Sequence, residues 1–206
     1  KAGSQYDLAI AIGYALTTEQ IRPFDTKDKV FVGELALNGE LRPISGALSI
    51  AEMAEGLGYK YLFLPKTNAE EANIIKRINV IGVETLKELI SFLENPEKLH
   101  ISPKENTKTK NESNEFKITL DDIRGQENAK RALIISASGG HNLLMTGTPG
   151  AGKSIIAESI ISILPETTQE ESIEITKVWS AAGLNKGWLI SVRPFRSPHH
   201  SASIIS

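Results

Sequence analysis

The chain has 206 residues, of which 40% are hydrophobic and 23% charged, and this composition is that of an ordinary globular protein with one or two domains. A formal net charge of −2 excludes a globally basic nucleic-acid binder, so any such site must be a local patch. The absence of cysteine excludes a disulfide scaffold and a thiolate metal site, and no apolar run reaches the roughly 18 residues of a membrane span. We therefore expect a cytoplasmic protein that does not enter a membrane.

Residues 1–94 predict an α/β domain, because helical and strand patterns alternate along them. Residues 6–16 are almost wholly apolar and predict a buried helix. A strand is predicted over 30–37, with the Asn38-Gly39 pair forming a hairpin turn to a return strand over 40–42. Further helices are predicted over 45–58, 69–77 and 85–93, and further strands over 61–64 and 80–83; Asn68 is the predicted cap of the helix that starts at 69.

The segment GELALNGELRPISGAL, followed by YKYLFLP, resembles the core of the Lon protease C-terminal domain. That ribosomal S5-like α/β fold also appears in the recombination protein RadA and in the N-terminal domain of the ComM/YifB family. Lon proteases cleave peptides with a Ser–Lys dyad, and the resemblance aligns the two dyad positions with Gln5 and Ser49. Both dyad residues are therefore replaced, and no base is placed for the nearby Ser4. We expect no serine–lysine peptidase activity.

Residues 95–115 are polar, carry charges of both signs and contain almost no apolar side chains. Such a segment cannot bury enough surface to fold, and a structureless run of about twenty residues predicts a flexible linker. His100 within it is expected to be solvated rather than a metal ligand. The predicted organisation is a first domain over 1–94, a linker over 95–115 and a second domain over 116–206.

The second domain contains a glycine-rich loop that fits the pattern G-x-x-x-x-G-K-[ST] at every fixed position. A predicted strand over 142–145 precedes the loop, and apolar residues at helical spacing over 155–161 follow it. The glycines let backbone N–H groups converge on an anion, and the helix N-terminus favours negative charge at the same point. Lys153 would reach the β- and γ-phosphates of ATP, and the Ser154 hydroxyl would ligate Mg²⁺. The predicted ATP-binding residues of the loop are Gly147, Thr148, Pro149, Gly150, Ala151, Gly152, Lys153 and Ser154.

A helix is predicted over 127–138, directly after the turn Ile123-Arg124-Gly125-Gln126. A turn of this kind, a helix and then the phosphate loop resemble the entry to an AAA+ module. In that family the turn packs around the adenine, so the resemblance makes Ile123 and Gly125 candidate ATP contacts. A simple helix-capping turn is the alternative. His141, within a Gly-Gly-His-Asn signature of the family, is expected to be structural.

A helix is predicted over 168–182 and a short strand over 188–190, before the run RPFRSPHHS over 193–201. This run resembles the RPFRxPHHS signature of the ComM/YifB family and of related magnesium-chelatase ATPase subunits. His199 and His200 are adjacent, so we expect their side chains to point in different directions, and no carboxylate lies nearby in sequence. A structural or inter-subunit role is therefore favoured over metal binding.

The end of the sequence is locally basic, because no acidic residue follows Glu174 whereas Lys186, Arg193 and Arg196 do. Aromatic side chains lie between these cations, and the combination suits contact with a nucleic-acid backbone and its bases. Contact with a neighbouring subunit, or with solvent alone, explains the same cations equally well. Lys186, Arg193 and Arg196 are therefore predicted DNA or subunit contacts.

The order of these motifs along the chain is that of the ComM/YifB family of magnesium chelatase-like AAA+ ATPases. The resemblance implies an ATP-fuelled, Mg²⁺-dependent ring, hexameric when intact, that acts on DNA as a helicase or branch-migration motor of natural transformation and recombination. The alternatives are a magnesium chelatase-type subunit that drives metal insertion and, third, an ATP-dependent Lon-like protease. The family's second acidic strand, Walker B, does not occur after Ser154. We therefore expect an interior fragment that binds nucleotide with little turnover and whose catalytic residues lie outside it.

Overall fold

The structure is a computed structural model that describes residues 3–95, 97, 118–185 and 187–197. The chain divides into two compact units. The first comprises Lys1–Lys110 and Ile173–Ile190, and the second comprises Asn111–Ser172 and Ser191–Ser206. Ile173–Ile190 therefore clusters with the first unit, although the sequence predicts it within the second domain. Almost all of the predicted linker lies outside the described residues, so the domain boundaries stay predictions.

The first unit consists of short strands and helices in alternation. Its strands are β1 (Lys29–Phe31), β2 (Glu34–Leu35), β3 (Leu41–Arg42), β4 (Tyr61–Pro65) and β5 (Asn79–Val83). Its helices are α1 (Asp7–Thr17), α2 (Ala47–Gly56), α3 (Lys66–Ala72) and α4 (Leu86–Glu94), with a 3-10 turn at Ser4–Tyr6 before α1. The helices predicted over 6–16, 45–58 and 85–93 and the strands predicted over 61–64 and 80–83 are confirmed to within a few residues at each end.

A parallel sheet with the strand order β1-β4-β5 forms the centre of the first unit. Successive residues of β4 point to opposite faces of the sheet. Leu62 and Leu64 pack with apolar side chains of α2 and α3, whereas Phe63 packs with those of α1 and α4. Phe63 also stacks on Phe31 of β1, with ring centroids 5.0 Å apart. A parallel sheet covered on both faces is the arrangement of an α/β domain, so the predicted α/β class is confirmed for this unit.

The single strand predicted over 30–37 is wrong, because the chain leaves the sheet at Gly33. The Gly33 amide donates to the Gln5 carbonyl at 2.8 Å, and its own carbonyl accepts from the Leu8 amide at 3.1 Å. These bonds hold the segment against the start of α1. β1 therefore pairs in parallel with β4, whereas β2 pairs antiparallel with β3.

The predicted hairpin is confirmed, but its loop has three residues rather than two. The Ala36 amide donates to the Glu40 carbonyl at 2.9 Å, and the Gly39 amide donates to the Ala36 carbonyl at 2.9 Å. Gly39 has φ 84°, in the left-handed region. A turn followed by a left-handed glycine is a common three-residue hairpin connection.

Asn68 is not a helix cap, and the prediction that it caps a helix is wrong. Helix α3 begins before it, at Lys66, and Asn68 is only 6% exposed. Its side-chain oxygen accepts from the Ile44 amide at 3.0 Å, and its Nδ2 donates to the Ile44 carbonyl at 2.8 Å. From the same helix, the buried Glu71 carboxylate accepts from the Leu48 amide of α2 at 3.3 Å. Both polar side chains therefore anchor the segment that leads into α2.

Gly82 lets α3 lie directly on β5. A Cβ atom at this position would lie 2.9 Å from the Lys66 Cα and 2.9 Å from the Ala69 Cβ. Real Cβ contacts are not this short, so only glycine fits here without moving the helix.

The regular secondary structure that the second unit has in its described residues is helical. Its elements are α5 (Glu127–Gly139), α6 (Lys153–Glu158), α7 (Gln169–Ala181) and 3-10 turns at Leu120–Asp122 and Ser159–Ile163. From Ile173 onward, α7 clusters with the first unit. The helices predicted over 127–138 and 168–182 are confirmed, and the helix predicted after the glycine-rich loop forms as α6 and the 3-10 turn.

In the part of the chain that the structure describes, residues 142–145 form no strand, and 188–190 contain only a single bridge residue, Leu189. Residues 142–145 lack regular secondary structure, and Leu144 is 88% exposed. A strand exists only when its backbone pairs with a neighbour, and no described segment of this unit pairs with this one. Over 188–190 the Ile190 amide donates to the Thr176 hydroxyl of α7, at 2.9 Å, rather than to a strand.

Candidate nucleotide-binding site

The glycine-rich loop joins the unpaired segment after α5 to the first turn of α6. Gly150 has φ 81° and Gly152 has φ 83°, and glycine adopts this left-handed region without strain. Nothing lies within 4 Å of a Cβ atom built on either glycine, so the loop is open on that side. Gly152 is also the N-cap of α6, so the loop leads straight into a helix N-terminus.

Lys153, the first residue of α6, folds its side chain back over the loop. Its ammonium donates to the Gly147 carbonyl at 2.9 Å and to the Thr148 carbonyl at 2.8 Å. The Ala151 amide also donates to the Thr148 carbonyl, at 3.3 Å. Ser154 follows Lys153 on α6 and is exposed to solvent. The structure thus brings together a positive charge, an exposed hydroxyl and the unpaired amides of a helix start.

The helix after the loop is fixed by α5. The two helices pack together, and their buried apolar side chains are Ile156 of α6, 3% exposed, and Leu133 of α5, 2% exposed. Ser159 is fully buried in the following 3-10 turn, where its hydroxyl donates to the Ile156 carbonyl at 2.8 Å. The loop is therefore held from its helical side.

The Gly-Gly-His run before the loop closes α5. The His141 amide donates to the Ser136 carbonyl at 2.9 Å, and the Ser136 hydroxyl donates back to the His141 carbonyl. The His141 ring covers Gly139 so closely that any Cβ there would collide with it. Gly140, with φ 62°, is the C-cap of the helix. His141 therefore has the structural role that the sequence predicts.

The candidate adenine contacts Ile123 and Gly125 lie on the turn that enters α5. Ile123 is half-buried and Gly125 is exposed, with φ 66°. Gln126, the N-cap of α5, also lies in the left-handed region, with φ 60°, which is uncommon for a residue with a side chain. These positions suit both a base contact and a capping turn, so the base contact stays a prediction.

The segment before this turn is fixed by a capping box. The Asp122 carboxylate accepts from the Thr119 amide and the Thr119 hydroxyl, both at 2.8 Å. These bonds, with the amide the larger cause, hold the pKa of Asp122 below its usual value. The neighbouring Leu120 amide donates to the Ser162 hydroxyl at 3.2 Å, which ties the segment to the 3-10 turn after α6.

Arg193, a predicted DNA or subunit contact, is bound within its own unit. Its Nε donates to the Pro165 carbonyl at 2.8 Å, and its Nη2 lies 2.8 Å from a Glu171 carboxylate oxygen. A bond from the Thr168 amide and, second, the Arg193 guanidinium lower the pKa of Glu171. Sequence reasoning missed this contact; the Thr168-x-x-Glu171 spacing of a capping box was the only available signal.

The other residues predicted to contact DNA or another subunit are less constrained by the structure. Arg196 is exposed. Lys186, His199, His200 and His100 lie outside the described residues.

The two dyad positions lie in the first unit, where Gln5 is in the 3-10 turn before α1 and Ser49 is in the first turns of α2. The Gln5 backbone is engaged by Gly33. Within the described ranges, no group of three or more His, Asp or Glu side chains is arranged to hold a metal ion. None of the described helices is both long and apolar enough to span a membrane.

Two family models match the chain, one in each region. The model described as magnesium chelatase, subunit ChlI, matches residues 119–206, and the model described as subunit ChlI of Mg-chelatase matches residues 1–68. Both regions are thus magnesium chelatase-like, and the class that they define is one of AAA+-type ATPases.

Comparison with individual proteins identifies one family within this class. The chain is 40% identical over 208 residues to competence protein ComM of Haemophilus influenzae and 40% identical over 207 residues to the uncharacterized protein YifB of Escherichia coli. Over 84 residues, 41% of the chain, it is 37% identical to DNA repair protein RadA of Listeria monocytogenes, of which 18% is covered. The chain belongs to the ComM/YifB family. The ComM and YifB alignments each cover 99% of the chain, which spans 40% of the length of each of these two relatives.

Proposed function

We propose that the chain is the nucleotide-binding part of an AAA+ ATPase that uses ATP with Mg²⁺. The observation that supports this proposal is the open loop with two left-handed glycines that leads into α6, with the Lys153 ammonium over it. These residues fit a triphosphate: the amides at the start of α6 and Lys153 would bind the phosphates, and Ser154 would ligate the ion. When bound, ATP supplies the free energy of phosphoryl transfer. Ile123 and Gly125 would contact the base.

Titration of the 206-residue chain with a fluorescent ATP analogue and Mg²⁺ tests this proposal. Lys153→Ala removes the only side-chain charge on the loop, so we expect affinity to fall at least about 10-fold, a loss of roughly 1.4 kcal/mol. Lys130→Ala is the matched control: Lys130 lies in the same unit and its ammonium pairs with Glu127 at 3.5 Å, on α5. Equal affinities of the wild type and the Lys153 variant would contradict nucleotide binding at the loop.

We also propose that the intact protein is a ring, a hexamer in the cytoplasm, that works on DNA as a ComM-type branch-migration or helicase motor. The names of two relatives support DNA as the substrate, since one is a competence protein and the other a DNA repair protein. The exposed Arg196 is available for a phosphate contact. That the 206-residue chain binds ATP with little turnover, and that its first unit has the Lon-like fold, belong to the same proposal.

A magnesium chelatase-type function is the second candidate, because both family models carry that description. The two functions predict different activators of ATP hydrolysis by the intact protein. Stimulation by branched or duplex DNA supports the DNA motor, whereas stimulation by a porphyrin-loaded partner protein alone supports the chelatase. A Lon-like protease is disfavoured because Gln5 and Ser49 replace the dyad, and casein turnover that depends on Ser4 or Ser49 would reverse that conclusion.

A further inference from the structure

Residues Ile173–Ile190 lie against the start of α2 in the first unit. The Ser180 carbonyl, in the last turn of α7, accepts from the Gly46 amide, at the N-cap of α2, with an N–O distance of 3.0 Å. Carbonyls at a helix C-terminus and amides at a helix N-terminus carry opposite partial charges and lack partners within their own helices. The contact between these two helix ends is therefore favourable.

An ion pair extends the contact along both helices. The Lys177 ammonium of α7 lies 2.6 Å from the Glu52 carboxylate of α2. Lys177 precedes Ser180 by about one helical turn, so both contacts come from one face of α7. The Lys177 and Glu52 side chains are 31% and 44% exposed, and a partly exposed pair of this kind contributes little net stability. The ion pair therefore determines how α7 is aligned along α2 more than it stabilises the contact.

After α7, two glycines lie close to residues of the segment before α2 and of α3. Gly183 has φ 69°, and a Cβ there would lie 3.2 Å from the Ser45 hydroxyl. Gly187 has φ 94°, and a Cβ there would lie 3.1 Å from the Glu70 Cβ on α3. The left-handed backbone favours glycine at both positions, and an added side chain would also force the facing Ser45 or Glu70 side chain to shift by a few tenths of an ångström. Glycine at 183 and 187 therefore favours the close approach of these two positions to Ser45 and Glu70.

The contact also buries polar atoms without partners. Among the residues that the structure describes, the buried Ser180 hydroxyl and Asn185 Nδ2 have no hydrogen-bond partner, and Ser180 is 2% exposed. Each such atom opposes burial, because it loses its bonds to water and gains none in return. The segment therefore makes specific contacts with α2 and α3 but leaves two of its buried polar atoms without a hydrogen bond.

We propose that the start of α2 and the adjoining part of α3 form a docking site for Ile173–Ile190 of the same chain, and that the docking is reversible. The specificity comes from the Glu52–Lys177 pair and the Gly46–Ser180 bond, and the reversibility comes from the unpaired polar atoms. Ser49 lies in the same turn of α2. The docked segment thus lies at the end of α2 that carries Ser49, the position that the Lon resemblance aligns with the dyad lysine. The first unit therefore binds a segment of the same chain at this end of α2. This proposal does not depend on nucleotide or DNA binding.

A zero-length carbodiimide cross-link tests the docking in the unaltered chain. The reagent joins a carboxylate to an amine in direct contact, so we expect an amide bond between Glu52 and Lys177 in the monomer, identified by mass spectrometry. Lys66 and Glu84, also 2.6 Å apart and within residues 1–95, provide the internal control. A Lys66–Glu84 cross-link without a Glu52–Lys177 cross-link, or a Glu52–Lys177 cross-link found in dimers alone, would overturn the proposal.

Hydrogen–deuterium exchange of the full chain then tests specificity and reversibility. Glu52→Lys should speed exchange at the Gly46 amide by about 1.4- to 5-fold, and Glu52→Lys with Lys177→Glu should restore it. Glu55→Lys is the matched control, since Glu55 lies on the same helix but pairs with Arg77, at 3.7 Å. Gly187→Ala should speed exchange by a second route, and Ser180→Ala should slow it by removing an unpaired hydroxyl. Equal exchange in the Glu52 and Glu55 variants, or unchanged exchange in the Gly187 variant, would overturn the docking. Faster exchange in the Ser180 variant would overturn the inference that the unpaired hydroxyl makes the docking reversible.

Discussion

Within each of the two units, the contacts that stabilise the fold differ in their range along the sequence. In the first, β4 has a neighbouring strand on each side and its residues Leu62, Phe63 and Leu64 are fully buried. In the described part of the second, Leu133 and Ile156 are the buried apolar residues, whereas large apolar side chains that are at least 47% exposed include Ile134, Ile135, Leu144 and Ile155. The first unit thus depends on residues far apart in sequence, and the phosphate loop of the second depends on near neighbours.

This difference explains why the loop has its shape without a paired strand before it. Left-handed glycines and the bonds from Lys153 to two carbonyls set its conformation, and all of these lie within one short stretch. The sheet of the first unit, in contrast, exists only when β1, β4 and β5 meet. Substitutions should therefore have large effects in the first unit and small, local effects in the second.

The largest expected effect is in β4. Leu62→Ala should lower the free energy of unfolding by about 2–5 kcal/mol, because it removes a fully buried side chain of the central strand from the core beneath α2 and α3. The same substitution at Leu144, which is 88% exposed, should change it by no more than about 0.5 kcal/mol. Urea denaturation followed by circular dichroism measures both. Similar costs at the two positions would contradict the contrast between the units.

A smaller effect is expected from a polar side chain that bridges distant segments. Asn68→Ala leaves the half-buried Ile44 amide and carbonyl without their partner, and because water can reach this segment we expect a total cost of about 1–3 kcal/mol. Thr168→Ala in the second unit removes a local bond, from the Glu171 amide at 3.2 Å, and should cost about 1 kcal/mol. Thermal unfolding of both variants checks the order. A Thr168 variant that is less stable than the Asn68 variant would reverse it.

Glycine substitutions should have opposite signs in the two units. Gly152→Ala places a side chain at φ 83°, which costs roughly 1–2 kcal/mol. Gly13→Ala, within α1 and with nothing within 4 Å of the added Cβ, should stabilise the chain by about 0.5–1 kcal/mol. The midpoint of thermal unfolding should thus fall for the first variant and rise for the second. A fall for both would show that α1 is not helical at Gly13.

The smallest expected effect is a response to acid. The pKa of Glu171 is lowered in the folded chain, so its bonds stabilise the fold above the unfolded value of 4.5, and this contribution is lost as the pH falls through the lowered pKa. Arg193→Ala should raise the pKa only part of the way, because the Thr168 amide is the larger cause. Carboxyl NMR titration measures this, with Asp122 as the control that should not change. A complete return of Glu171 to 4.5 would contradict the order of the causes.

The same distinction of range decides what the sequence could predict. Helices α1, α2, α4, α5 and α7 follow from the pattern of their own residues, and so does the position of the phosphate loop. Other features depend on residues that are distant in sequence, which a local pattern does not contain. They are the division of 30–37 at Gly33, the burial of Asn68 against Ile44 and the absence of a neighbouring strand for 142–145. The Glu52–Lys177 pair joins two ordinary surface charges, so no local pattern identifies it.

Gly82 restricts how the first unit can vary. Its missing side chain sets the height of α3 above the sheet, since an added Cβ would meet the Lys66 backbone, which cannot rotate away. Asn68 and Glu71 belong to that helix, and the hydrogen bonds that they make to Ile44 and Leu48 tolerate only small displacements. A single methyl group at Gly82 would therefore displace α3 and, through Asn68 and Glu71, the start of α2, so this glycine sets the spacing of that face of the first unit.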